Sequence, residues 1–93
     1  MKIEHKGLGV KVELKELTQG DLEQFYAKQR EVGLEPDNIS LPEFSGAVVK
    51  IASDLDFFSE RFEDIGDWKP AKTIFIKDEL IKAIVEAVTI PPE

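Results

Sequence analysis

Between Gly9 and Leu14 the chain alternates strictly: Val10, Val12 and Leu14 are apolar, Lys11 and Glu13 are charged. Period-2 alternation predicts a strand with one buried and one solvated face. Gly7 and Gly9 precede it and suit a turn or bulge. If Lys2–Lys6 is also extended, GLG joins the two as a hairpin, giving a β ribbon over 1–17.

From residue 18 the period changes. Thr18 and Asp21 form a capping-box pair, flanked by Leu17 and Leu22 as a hydrophobic staple. Leu22, Phe25, Tyr26 and Val32 continue at helical spacing, which predicts a helix over 18–32 stopped by Gly33. A second start follows: Ser40 and Glu43 as the box, Ile39 and Phe44 as the staple, Pro42 in the first turn. Phe44, Ala47, Val48, Ile51, Ala52 and Leu55 then recur on one face and predict a helix over 40–58. Residues 33–38 (GLEPDN) read as the loop between the two.

The last element has two parses. Ile74, Ile81, Ile84, Val85 and Val88 lie close to one helical face, and Asp67 is placed to cap a helix over 67–89. Thr73-Ile74-Phe75-Ile76 is β-branched and aromatic, which favours a strand at 72–76 with Asp78 capping a shorter helix. The continuous helix is preferred, because a strand there needs a partner beyond the N-terminal ribbon. Residues 90–93 form an extended tail. The expected fold is α+β and mostly helical: a single domain with a strand or hairpin, then three amphipathic helices in a small bundle.

At 93 residues, 42% hydrophobic and 33% charged, the composition is that of one small globular domain. Many domains of this size gain stability by pairing with themselves or with a partner, so a homo-oligomer is one expectation. The absence of cysteine excludes disulfides, thiolate catalysis and cysteine-based metal sites. No apolar run of signal-peptide or membrane-span length occurs, so a cytoplasmic location and no membrane partner are expected. The net charge of −7 is uneven: residues 18–93 carry eight basic against sixteen acidic side chains. Phosphate backbones repel such a surface, so nucleic acid is not an expected partner.

Chemistry-bearing groups are sparse. His5, the one histidine, stands in a lysine-flanked segment with no orienting acid beyond Glu4. The carboxylate pairs Asp54/Asp56, Glu63/Asp64 and Asp78/Glu79 lack the turn glycine and closing glutamate of a calcium loop. No serine has elbow glycines, and no glycine run matches a phosphate loop. No enzyme activity, no metal and no cofactor are expected, which leaves binding.

The segment 56–70 (DFFSERFEDIGDWKP) concentrates Phe57, Phe58, Phe62, Ile65 and Trp68 among acids. Part of this set belongs in the core, with Phe58 and Phe62 stacked one helical turn apart. The surplus, rimmed by carboxylates, has the composition of a protein-binding hot spot. Phe57, Phe58, Phe62, Ile65, Trp68 and Pro70 are the candidate partner-binding residues.

The order of motifs carries a resemblance. A strand ending in Val12-Glu13-Leu14-Lys15-Glu16-Leu17-Thr18 leads into an LT-x-x-D-L helix start, and a second amphipathic helix follows. A D-W-K-P-A entry (Asp67 to Ala71) then opens a helix of the Ile81-x-x-Ile84-Val85-x-Ala87 type. This order resembles the small tail assembly chaperones of long-tailed bacteriophages and prophages. The resemblance implies a non-enzymatic protein of the bacterial host cytoplasm, often self-associating, that coats the long helical tape-measure protein until the tail tube forms around it. It implies a structural or contact role for Trp68 and Pro70. A different class is a small acidic regulator or inhibitor, whose Glu60, Glu63, Asp64 and Asp67 occupy a basic site on a partner protein.

Overall fold

A computed structural model describes residues 1–34 and 39–92. Its order is β1 (Lys2–His5), β2 (Val10–Glu13), α1 (Gln19–Glu31), α2 (Leu41–Asp54) and α3 (Pro70–Val88). The alternating ribbon is an antiparallel hairpin, with Ile3 opposite Val12 and His5 opposite Val10. Its connection is a 3₁₀ turn over Lys6–Leu8, closed by Gly9 in the left-handed region at φ 65°. His5 Nδ1 accepts the Leu8 N–H at 3.2 Å, and its ring meets Phe75 edge-on at 5.1 Å. The histidine therefore caps the hairpin turn.

Ile3, Val10, Val12 and Leu14 form the buried face of the hairpin and lie in one core with the helices. Beyond β2, Phe58 adds a single antiparallel bridge to Leu14. The Lys15 N–H donates to Phe57 O (2.9 Å) and the Ser59 N–H to Glu13 O (2.8 Å). A rudimentary third strand thus lies on the outer edge of β2.

The first two helix starts form as their sequence signals predict, with one variation. Thr18 Oγ1 accepts the Asp21 N–H while the Asp21 carboxylate accepts the Thr18 N–H, a complete capping box. Ser40 Oγ accepts the Glu43 N–H, but the Glu43 carboxylate accepts from the Ser40 hydroxyl rather than from its backbone. At the end of α1, Gly33 adopts φ 67°; its N–H donates to Arg30 O and that of Leu34 to Gln29 O, a Schellman closure. The loop expected over 33–38 lies partly outside the described residues.

The Thr18 backbone N–H, aided by the Lys15 ammonium 3.1 Å away, holds the Asp21 carboxyl below its ordinary value. A lowered carboxyl contributes stability above the ordinary carboxylate range and loses it as pH falls through its folded value. Asp21→Ala is expected to cost about 1 kcal/mol at neutral pH. In urea titrations the gap to the parent should close on acidification.

Residues 72–76 are helical, within α3. Thr73, Ile76, Leu80 and Ile84 are its buried residues against the core, with Lys77 among them. The Lys77 stem is buried while its ammonium reaches the exposed carboxylate of Asp78, a snorkelling arrangement. The helix begins at Pro70, after Lys69, rather than at residue 67. The proposed cap Asp67 instead belongs to a 3₁₀ turn over Ile65–Asp67.

Candidate functional site

The helix expected over 40–58 stops at Asp54, and this shapes the whole aromatic corner. Asp56 takes φ 61°, its N–H donates to Ser53 O, and the Phe57 N–H donates to Ala52 O. This is a second Schellman closure, built on aspartate where glycine is usual. The left-handed conformation strains a residue that carries a Cβ, though aspartate tolerates it better than most. Asp56→Gly is expected to raise the unfolding free energy by about 0.5–1 kcal/mol and the melting temperature by a few degrees in a thermal scan.

Past this closure the aromatics divide. Phe57, 1% exposed, enters the core and stacks on Phe25 at 6.0 Å. Phe58, 6% exposed, is held by its bridge to Leu14. Phe58 and Phe62 do meet, at 5.0 Å, but across a loop rather than along a helical turn. Phe57 and Phe58 are core residues in this fold and offer no partner surface. Their burial follows from the early helix stop, which turns both rings inward beneath β2.

Phe62, Ile65 and Trp68 are half-buried against the core, and Pro70 is exposed in the first turn of α3. Phe62 meets Trp68 edge-on at 5.0 Å. Trp68 Nε1 donates to Asp64 Oδ1 (3.1 Å), and Lys72 Nζ stands 4.1 Å above the indole ring. Two serines tie down the loop. Ser53 Oγ, buried at the end of α2, accepts the Phe62 N–H (2.8 Å), and Ser59 Oγ accepts the Glu13 N–H (3.0 Å). Between this loop and the outer edge of β2 lies a groove of about 310 Å³.

A second apolar surface lies elsewhere. On α3, Ile81, Val85 and Val88 are 39%, 53% and 60% exposed, at i, i+4 and i+7 on one face. Tyr26 of α1 and Val88 line a common groove beside them, and Ile90 is exposed just past the helix. The spacing places Ile74, Ile81, Ile84, Val85 and Val88 close to one helical face. Of the five, only Ile84 is buried; Ile74 is half-buried and the other three are exposed. The signal was the width of the apolar sector: Thr73, Ile76, Leu80 and Ile84 already supply an inward stripe, so the other residues are surplus to the core.

Among the described residues no three His, Asp or Glu side chains gather as a metal site, and no helix is long and apolar enough to cross a membrane. Comparisons with protein-family models, with curated proteins and with solved structures find no match.

Proposed function

We propose that this chain is a non-enzymatic tail assembly chaperone that shields a long helical tape-measure protein through the outward face of α3. The observation that carries the reading is the two-turn stripe of Ile81, Val85 and Val88, extended by Tyr26 and Ile90. Monomeric domains bury such residues or reserve them for a partner. An i, i+4, i+7 stripe is also the pattern that packs against another amphipathic helix. The order of motifs along the chain, from the LT-x-x-D-L start to the D-W-K-P-A entry, supplies the client.

Co-expression with the tape-measure protein tests this. The parent chain is expected to keep the client soluble and to co-purify with it. The double variant Ile81→Lys/Val85→Lys should lose the client while keeping its melting temperature, since both positions are exposed. Retained capture by that variant overturns the reading.

One observation favours the acidic-regulator reading: Glu60, Glu63, Asp64 and Asp67 are all exposed on the single loop between α2 and α3. Capture that survives the α3 variant, but is lost on reversing Glu60, Glu63 and Asp67 to lysine, supports this reading instead.

A further inference from the structure

The outer edge of β2 is only half used. Leu14 exchanges both backbone bonds with Met1, at 2.7 and 2.8 Å. Antiparallel ladders alternate, so Val12 and Val10 also bond toward β1, whereas Glu13 and Lys11 direct their N–H and C=O outward. Glu13 spends both groups on Ser59. The next ladder position belongs to residue 61, but the loop has left by then: the Phe62 N–H goes to Ser53 Oγ and the Arg61 guanidinium to Asp54. Among the described residues nothing meets the Lys11 backbone groups, and they open into the 310 Å³ groove.

We propose that this groove is a strand-addition site, taking an extended segment of another protein antiparallel to β2 with an apolar–acidic–apolar sequence centred opposite Lys11. A strand is the one backbone form that answers a free N–H and C=O on a sheet edge. Residues directly opposite in an antiparallel pair share a face, so the central side chain emerges beside Lys11 on the solvated side. Glu4 stands directly opposite Lys11 across the hairpin but pairs with Lys2 at 4.0 Å, so Lys11 makes no ion pair among the described residues, whereas Arg61 is engaged by Asp54, Asp64 by Trp68 and Lys72 by the indole face. A carboxylate opposite Lys11 on its open edge therefore gives it the partner that Glu4, paired with Lys2, does not; Glu60 is exposed on the far rim. The two neighbours of the central residue turn to the other face, toward Phe62 and Trp68, which favours apolar side chains there.

A second copy of this chain does not fit the edge. Two-fold pairing of β2 with itself about this position places Lys11 opposite Lys11 and brings together two chains of net charge −7. The site is independent of the α3 face and does not depend on the chaperone reading.

The test is amide NMR of the ¹⁵N-labelled full chain titrated with the peptide acetyl-Val-Glu-Val-Thr-amide, which stops short of the edge position Ser59 holds opposite Glu13. The expected result is saturable shifts of the Gly9 and Lys11 amides and the Trp68 indole N–H. Methylating the backbone nitrogen of the central glutamate should weaken binding roughly tenfold, because the donor to Lys11 O is lost. Lys11→Glu, a change on the solvated face, should switch the preference to the peptide with a central lysine. The proposal is overturned if the parent shows no shift at Lys11, if the methylated peptide binds equally well, or if the lysine-centred peptide binds the parent as tightly.

Discussion

Replacing Phe57 by alanine is expected to lower the unfolding free energy by about 3–5 kcal/mol. A domain of this length has about 5–14 kcal/mol in total, so the variant should sit close to the edge of folding. Phe57 is 1% exposed and stacks on Phe25, so truncation removes a full aromatic side chain from the junction of α1, α2 and the hairpin. The backbone bonds of residue 57, from its N–H to Ala52 O and into its C=O from Lys15, survive the change. The loss is therefore one of packing and leaves the chain path in place. Urea titration should show a lower midpoint with an unchanged slope. Phe62→Ala, at a half-buried position, should cost distinctly less. A Phe57→Ala loss under about 1 kcal/mol is incompatible with the core described here.

Leu80→Ala and Ile81→Ala are expected to separate sharply although the residues are neighbours in one helix. Leu80 is 0% exposed in the inward stripe, and its truncation should cost about 2–5 kcal/mol. Ile81 is 39% exposed, and its truncation should stay within about 0.5 kcal/mol. The same titrations read both. Equal costs, or a larger cost at Ile81, would show α3 rotated about its axis and would withdraw its outward face as a binding surface.

That comparison also marks where sequence reading reaches its limit. The hairpin and the first two helices were legible because each begins from local chemistry: alternation at Val10–Leu14, the box at Thr18 and Asp21, the capping serine at Ser40; α3 starts without a side-chain cap and was legible from its period alone. The two Schellman closures show the boundary clearly. Gly33 announces itself, because glycine is the residue that enters the left-handed region without strain. Asp56 does the same work with an ordinary acidic side chain, so the periodic pattern runs past the true end of α2. From that one misplaced end follows the helical stack expected of Phe58 and Phe62; Phe57 and Phe58 stood among the candidate partner-binding residues because composition alone does not say which part of the aromatic set the core takes. The rotation of α3 was hidden for another reason. Its apolar residues cover a sector wider than the core needs, and periodicity does not say which edge faces inward. The bridge from Leu14 to Phe58 was not legible at all, since single-residue pairing leaves no repeat in the sequence.

The seam between β2 and the segment after α2 also bears on the order in which the molecule assembles. Its bonds join residues as much as 46 positions apart, whereas the hairpin and the helical turns draw on near neighbours. Closing a long loop carries an entropic cost before any contact repays it, so local elements form early and the seam closes late. Interactions made after the rate-limiting step govern how fast a native protein comes apart, not how fast it forms. The hydroxyl of Ser59 is thus expected to act as a latch on lifetime: in stopped-flow measurements Ser59→Ala should unfold faster while refolding at the parent's rate.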